Sequence, residues 1–274
     1  METANEWQAM IPLLEIPAEY PRIEQFLLHH SNLPGPRGNL TLADQLAGGF
    51  EREAVGPELW DLLRRWADTP AESAPMNHPR EYLVFCAVLA MGAHYAGAGP
   101  ERQREIIDRI RLAMNDPRWR VREAAAMACQ RIAERDFAPV RRHFALWYPE
   151  SSDLEKRGFL AALAHPPILK HPEIAAFSLE ISAAILDEIP ARERAGRRTA
   201  EFKALSKGLG YALSVFVAHL PQEGFAFLKH YAASADPELG RIIRSNLAKS
   251  RLAGRYGPLV AEVLAIMPQK TGRK

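Results

Sequence analysis

The sequence predicts an all-α protein built as a right-handed superhelical solenoid of antiparallel helix pairs. Apolar residues recur at three- and four-residue spacing along most of the chain, and no alternating run bounded by turn residues indicates a strand. Turns that start helices also return at intervals of about 40 residues, a period typical of helical repeats. Because such pairs bury their apolar faces only by stacking on neighbours, we expect one solenoid domain over 1–274.

Within that domain we expect divergent helices over 1–70, about five helix pairs over 71–267 and a flexible tail over 268–274. Two segments with distinctive composition are expected to be loops, SNLPGPRGN at 31–39 and IPARERAGRR at 189–198. The expected helices span 22–30, 39–53, 57–67, 80–95, 101–114, 118–134, 137–147, 152–164, 172–188, 199–219, 222–233, 237–251 and 256–267.

A glycine- and proline-rich turn precedes the helix expected at 39–53. Such a turn could hold an anion at the helix N-terminus with help from Arg37, but it lacks the spacing of a phosphate-binding loop and follows no strand. The simpler interpretation is a rigid turn in which Asn39 or Thr41 caps the helix, since Thr41 and Asp44 have the spacing of a capping box.

The longest uncharged run, 82–100, approaches the roughly 20 residues that cross a bilayer. It contains His94 and ends in the loop-like AGAG, so we predict a buried central helix instead. The first residues lack the basic start and apolar core of a signal peptide. Cys86 and Cys129 lie in apolar segments, which is typical of small buried hydrophobes rather than of a redox pair or metal ligands. We therefore expect a cytoplasmic protein without membrane association.

The clearest helix pair spans 101–134. Its first helix carries isoleucines on one face, and NDPRW then interrupts the helix, because Asp and Pro favour turns and helix N-termini. Small side chains on the second helix would let a neighbouring helix approach closely. The two faces are Ile106, Ile107, Ile110 and Met114 on the first helix, and Val121, Ala125, Ala128, Cys129 and Ile132 on the second.

Asn or Asp marks the start of several second helices, at Asn77, Asp116, Asp153 and Asp236. The first three are separated by about one repeat of 40 residues, and the last gap fits two repeats, one of them lengthened by the charged segment 189–198. The missing start then lies near 197–199.

The segment DPRWRVREAAAMA resembles the turn between the two helices of a HEAT repeat, an armadillo-like helical family. In that family Asp and Arg typically form a ladder between neighbouring repeats. The resemblance implies ladder roles for Asp116 and Arg122, and for Asp236 with Arg241. At Asp153 the basic residues that follow are out of register, and the first 70 residues match poorly.

Basic residues of the later repeats form the candidate binding set. Residues 1–100 carry a net charge of −7 and residues 101–274 a net charge of +9, which predicts an anionic partner for the second part. In a HEAT solenoid the second helices line the concave side, so stacked repeats would present their cations to phosphates. Alternatively, several of these cations pair within the ladder or are only solvated. The candidates are Arg118, Arg120, Lys156, Arg157, Lys203, Lys207, Arg241 and Arg244, with Lys249 in the same stripe, and Trp119 and Tyr211 as aromatics that could stack on bases.

The C-terminal segment from ALSKGLGY to NLAKSRL is similar to the end of the AlkC/AlkD-type DNA alkylation-repair proteins, which are also HEAT-like. The shared features are a proline-containing turn, a short aromatic helix and a last helix rich in Arg and Lys. Those glycosylases use an acidic residue with neighbouring tryptophans. Near 80–85 this chain offers only Glu81 and Tyr82.

No sequence motif for catalysis or metal binding is present. The chain has no CxxC pair, HExxH motif, dinucleotide fingerprint or Ser-His-acid order, and His29, His30, His165 and His171 lack zinc-site spacing. We therefore expect a non-enzymatic binding or scaffold protein without cofactor, metal or catalytic residues. Its concave, partly basic groove would hold a protein, a peptide or an anionic partner such as nucleic acid. The alternative is a DNA-binding or glycosylase-like protein acting on damaged duplex DNA.

Overall fold

The computed structural model describes residues 2–268, with side chains from Glu6 onward, and this part of the chain contains helices and no strand. The all-α prediction is therefore confirmed. The α-helices are α1 (Glu2–Met10), α2 (Tyr20–His29), α3 (Leu40–Gly48), α4 (Pro57–Ala67), α5 (Glu81–His94), α6 (Pro100–Met114), α7 (Trp119–Arg135), α8 (Phe137–Trp147), α9 (Asp153–Leu163), α10 (Pro172–Glu188), α11 (Ala200–His219), α12 (Pro221–Ala232), α13 (Pro237–Leu247), α14 (Ser250–Ala253) and α15 (Gly257–Ile266). Short 3-10 helices span Ile11–Glu15, Pro17–Glu19, Tyr95–Gly97, Tyr148–Glu150, Ile168–Lys170 and Gly196–Arg198.

Helix boundaries follow local chemistry. Helices α4, α6, α10, α12 and α13 begin at a proline, whose missing N–H costs nothing in the first turn. The predicted helices 57–67, 137–147 and 172–188 match α4, α8 and α10 at both ends. Three predictions were wrong in detail. Helix α1 was not expected, the helix expected at 39–53 already ends at Gly48, and the one expected at 237–251 breaks at the extended backbone of Lys249 into α13 and α14.

The chain divides at Val140 into two compact units, Met1–Val140 and Arg141–Lys274. We call them unit 1 and unit 2 and describe each separately. The tail predicted at 268–274 lies, from residue 269 on, outside the described residues.

Helix α5 is the centre of unit 1. All of its residues, from Glu81 to His94, are buried, as expected of a helix that is apolar on every side. It packs against α3, α4 and α7. At Gly92 a side-chain β-carbon would lie 2.5 Å from Cβ of Ala128 on α7, so the close approach predicted from small residues is present. Across residues 2–268 no helix is long and apolar enough to cross a membrane.

Unit 1 also contains two buried cysteines and an asparagine that caps α3. Cys86 on α5 and Cys129 on α7 are free and buried, and burial raises the pKa of the Cys129 thiol to about 12. Of the two proposed caps of α3, Asn39 is the one used, since its side chain accepts a hydrogen bond from the Leu42 amide at 3.1 Å. The Tyr82 hydroxyl donates to the Asn39 carbonyl at 2.6 Å and ties this turn to α5.

In unit 2, α11 lies between α9 and α13, while α10 and α12 pack on it as well. Buried Asn246 of α13 joins two of these helices, because its amide donates to the Leu209 carbonyl and accepts from the Ser214 amide, both at 2.8 Å. The predicted charged loop at 189–198 contributes two further ties. Arg192 binds both carboxylate oxygens of Asp153, and Arg197 pairs with Asp236 at 2.7 Å.

Candidate functional site

The ten residues predicted to contact a partner fall in both units. Arg118, Trp119 and Arg120 belong to unit 1, at the start of α7. Unit 2 contains Lys156, Arg157, Lys203, Lys207, Tyr211, Arg241 and Arg244. They are therefore described as two separate candidate surfaces.

Three of the predicted cations, Arg118, Arg120 and Lys156, are buried and form ion pairs within the fold. Arg118 is 3% exposed and binds both oxygens of Asp116 and the carbonyls of Thr69 and Ala74. Lys156 is 6% exposed, and its Nζ lies 2.6 and 2.7 Å from the carboxylate oxygens of Glu188. A buried cation requires such partners, since an unpaired charge away from water is costly. Neither Arg118 nor Lys156 is therefore placed to meet a partner as predicted.

Asp116 and Arg122, expected to belong to an Asp–Arg ladder, both make contacts within their own turn. The Asp116 carboxylate accepts from Arg118, while Arg122 donates to the Asp116 and Pro117 carbonyls within the same turn. Arg118 follows Asp116 by two residues and can reach both of its oxygens without leaving the turn.

Asp236 and Arg241, also expected to belong to the ladder, contact different partners. The Asp236 carboxylate pairs with Arg197, while Arg241 pairs with Glu238 at 2.6 Å on its own helix. The arginine that reaches Asp236 is Arg197, which lies where the repeat spacing places the missing helix start.

An exposed stripe on α11 begins the surface of unit 2 that we call the basic face. Lys203, Lys207 and Tyr211 follow each other at four-residue spacing and are all exposed, as expected of one side of a helix. Lys249 and Arg251 lie against the Tyr211 ring, and Arg244 is exposed on α13, which packs against α11. The basic face consists of Lys203, Lys207, Tyr211, Arg244, Lys249 and Arg251.

Tyr211 is the aromatic centre of the basic face. It is 49% exposed, and the Arg251 guanidinium lies 4.7 Å from its ring centroid and donates to its hydroxyl at 3.2 Å. The Lys249 ammonium lies 6.0 Å from the same ring. Sequence reasoning identified Tyr211 but missed Arg251, although Arg251 follows Tyr211 by about one repeat length of 40 residues.

The cations of the basic face are poorly neutralised. Within residues 6–268, Lys203, Lys207 and Arg244 form no ion pair, and Arg251 contacts Tyr211 and Ser214 rather than a carboxylate. By contrast, Arg192, Arg197 and Arg241, which line an open depression of about 730 Å³ nearby, each pair with a carboxylate. Positive charge is therefore available to a partner on the basic face, whereas in the depression Arg194 alone among the lining arginines has no carboxylate partner within the described residues.

A second candidate surface is a cleft of about 350 Å³ in unit 1, which we call the aromatic cleft. It lies among the loop at 31–39, α5 and α7. Trp119 contributes an accessible indole, 39% exposed, and the Arg120 guanidinium lies 4.5 Å from its ring centroid. The lining residues are Arg37, Gly38, Leu40, Tyr82, Phe85, Trp119, Arg120, Glu123 and Met127.

Arg120 anchors the floor of the aromatic cleft. It is 6% exposed, and its Nη1 lies 3.1 Å from Oε2 of Glu81, which is fully buried on α5. Its Nη2 donates to the Gly35 carbonyl at 2.5 Å and to Oδ1 of Asn77 at 3.2 Å. Two buried atoms of this network, Arg120 Nε and Glu81 Oε1, have no hydrogen-bond partner in the described part of the protein.

Tyr82 lines the same cleft as a neutral phenol, because burial raises its pKa far above the ordinary value of 10.0. The aromatic cleft thus has mainly apolar walls, and the unpartnered Arg120 Nε is buried from solvent rather than exposed in the cleft. Sequence reasoning singled out Trp119 and Arg120 but not Leu40 or Phe85, which no motif marks.

Among residues 6–268, no group of three or more His, Cys, Asp or Glu side chains is arranged to hold a metal ion. Comparison of the chain with protein-family models, with curated proteins and with solved structures gives no match.

Proposed function

We propose that this chain is a HEAT-like binding protein that holds an anionic partner on the basic face of unit 2 and acts without catalysis. The observation that carries this proposal is the set of unneutralised cations around exposed Tyr211. Cations without carboxylate partners are free to exchange their counterions for the charges of a partner, which favours association with polyanions.

The packing order inside each unit supports a repeat architecture. In unit 1, α3 packs against α5 and α5 packs against α7. Helix α4 packs against α5, and α6 packs against both α5 and α7. In unit 2, α9, α11 and α13 pack in the same way, with α10 and α12 against α11. Helices that contact the next but one helix along the chain are typical of stacked helix pairs in solenoids.

The number of cations predicts how strongly salt should weaken binding. If all five cations of the basic face meet phosphates of a DNA duplex, the logarithm of the association constant falls with the logarithm of salt concentration with a slope of about −4.5. Tyr211 adds a sequence-tolerant stacking surface for an unpaired base. An acidic protein segment offers carboxylates instead and would use the same cations.

The test is fluorescence anisotropy with a labelled 20-base-pair duplex and with labelled polyglutamate, from about 50 to 200 mM KCl. The variant Lys203→Glu/Lys207→Glu replaces two exposed cations of α11 with carboxylates. For the duplex, we expect the slope of log association constant against log salt concentration to be about 2 smaller in magnitude. The matched control is Arg104→Glu/Lys170→Glu, which makes the same charge change at two exposed positions outside the basic face.

Circular dichroism must show the same helicity in both variants. Binding that does not change with salt, or equal binding by the two variants, would contradict the proposal. Binding to polyglutamate but not to the duplex would identify an acidic protein segment as the anion.

A second candidate function is that of a DNA alkylation-repair protein acting on damaged duplex DNA. Tyr211 among unpaired cations favours it, because bases displaced from a damaged duplex can stack on an exposed ring. Release of a modified base from an alkylated duplex would support this candidate and exclude the non-enzymatic one.

A further inference from the structure

Tyr211 is held in a fixed orientation at the centre of the basic face. The Arg251 guanidinium lies 4.7 Å from its ring centroid, donates to its hydroxyl at 3.2 Å and donates to Ser214 Oγ on the same helix at 3.3 Å. Tyr211 nevertheless remains 49% exposed. Because the orientation of the ring is already set, a partner that packs on it loses little free energy in ordering it.

The backbone beneath Tyr211 is fastened to α13. Ser245 Oγ donates to the Gly210 carbonyl at 2.9 Å, and a β-carbon at position 210 would lie 3.2 Å from that oxygen. Glycine at this position therefore lets α13 approach α11 closely, one residue away from Tyr211. The cations of α11 and Arg244 of α13 are thus presented by two helices that are fixed relative to each other.

An aromatic ring among cations favours a partner that has both a flat, neutral face and negative charge. Carboxylates of an acidic peptide would pair with the cations but gain nothing from the ring, because the face of an aromatic ring carries partial negative charge. A nucleotide combines a phosphate with a base whose face stacks on tyrosine. The Lys249 ammonium lies 6.0 Å from the Tyr211 ring, so both groups can be used by one nucleic-acid strand.

The exposed position of Tyr211 further favours an unpaired strand. In a duplex, neighbouring base pairs cover the faces of each base, whereas the bases of a single strand turn outwards and stack on aromatic side chains. Lys203 and Tyr211 are eight residues apart on α11, which is about 12 Å along the helix axis. Phosphates follow one another at about 3.4 Å along the axis of a stacked strand, so this stretch accommodates roughly three to four nucleotides.

We propose that the basic face binds single-stranded nucleic acid, with one unpaired base stacked on Tyr211 and the phosphates of neighbouring nucleotides beside Lys203 and Lys207. This inference rests on the proposed function, because it names the class of polyanion held by the same surface. It divides the affinity into two separable contributions, one from the cations and one from the ring.

The test measures the fluorescence anisotropy of four labelled probes at about 150 mM KCl. The probes are a thymidylate 20-mer, an abasic 20-mer with the same phosphates, the 20-base-pair duplex, and that duplex with one unpaired bulged base. The variants are Tyr211→Ala and Tyr211→Phe, of which the second keeps the ring. The matched control is Trp119→Ala, which removes an exposed aromatic side chain from unit 1. Circular dichroism must show the same helicity in all three variants.

We expect the thymidylate strand to bind about tenfold tighter than the abasic strand, since stacking of one base on an aromatic side chain contributes a factor of this size. Tyr211→Ala should abolish this difference, whereas Tyr211→Phe and Trp119→Ala should retain it. The thymidylate strand should also bind tighter than either duplex. Its salt slope should be about −3.5, because each of the five cations contributes about −0.7 on a single strand.

Equal binding of the thymidylate and abasic strands, or a difference that persists in Tyr211→Ala, would overturn this inference and leave the proposed anion binding intact. Tighter binding of the bulged duplex than of the single strand would overturn it in favour of a base displaced from a duplex. Tighter binding of polyglutamate would overturn it in favour of an acidic protein segment. If neither the nucleic-acid probes nor polyglutamate binds in a salt-dependent manner, the proposed function itself fails.

Discussion

Glu105 on α6 is a carboxylate on which two helices of unit 1 converge, and replacing it with glutamine should destabilise that unit. It accepts hydrogen bonds from Trp60 Nε1 at 3.0 Å, from Arg64 at 2.7 and 2.6 Å, and from Arg109 at 3.0 Å. Glutamine keeps the shape but turns one acceptor oxygen into an NH₂ group that faces these donors. The charge of the carboxylate is lost as well.

The pKa of Glu105 gives the magnitude. The hydrogen bonds from Arg64, followed by those from Trp60 and Arg109 against the opposing effect of burial, lower this pKa from 4.5 to about 2. A shift of that size corresponds to about 3 kcal/mol of stability at neutral pH. Glu105 is 23% exposed but Arg64 is 44% exposed, so solvent screening reduces the expected loss to about 2 kcal/mol.

The pH dependence has a definite sign. Because folding lowers the pKa of Glu105, its contribution is fully present above the unfolded value of 4.5 and is lost as the pH falls through the folded value of about 2. Urea unfolding by circular dichroism should therefore show Glu105→Gln less stable than the natural chain at pH 7. The difference should shrink as the pH falls below about 4.5.

The control is Asp108→Asn, which removes an exposed carboxylate from the same helix. The reasoning is refuted if Glu105→Gln is as stable as Asp108→Asn at pH 7, or if its deficit stays constant down to pH 3.

Two further predictions concern the central helix α5. Gly92→Ala places a methyl group 2.5 Å from Cβ of Ala128, so we expect overpacking of at least about 1 kcal/mol and a Tm lower by about 3 °C or more. Gly48→Ala, with no atom within 4 Å of the added carbon, is the matched control and should leave Tm nearly unchanged. Burial lowers the pKa of His94 below its ordinary 6.5, so the unfolded chain takes up this proton more readily and stability is lost as the pH falls below 6.5. Between pH 7.5 and 5, the urea midpoint of His94→Asn should therefore fall less than that of the control His171→Asn, which replaces an exposed histidine. Equal falls in the two variants would contradict this prediction.

Local sequence was sufficient for the helices and for the buried character of α5. Proline at the first helical position and apolar spacing act within a few residues, so α4, α8 and α10 could be predicted at both ends. The uncharged run around Cys86 could likewise be predicted to form a buried helix, because a helix that is apolar on every side has no face for water.

The roles of the charged residues could not be predicted in this way. Arg118, Arg120 and Lys156 follow the same pattern as Lys203 and Lys207, yet the first three are buried in ion pairs and the last two are exposed. Two of the partners come from distant parts of the chain, Glu81 for Arg120 and Glu188 for Lys156, whereas Arg118 pairs with Asp116 two residues away.

The sequence by itself determined that this protein is all-helical, where most of its helices lie and which helix is buried at the centre of unit 1. Only the tertiary structure decided which cations face solvent on the basic face and which form the floor of the aromatic cleft. The physical reason is the distance along the sequence over which each effect acts. Helix propensity and periodicity are set by neighbours within about four residues. The burial and pairing of a long charged side chain depend on whichever helix the fold packs against it.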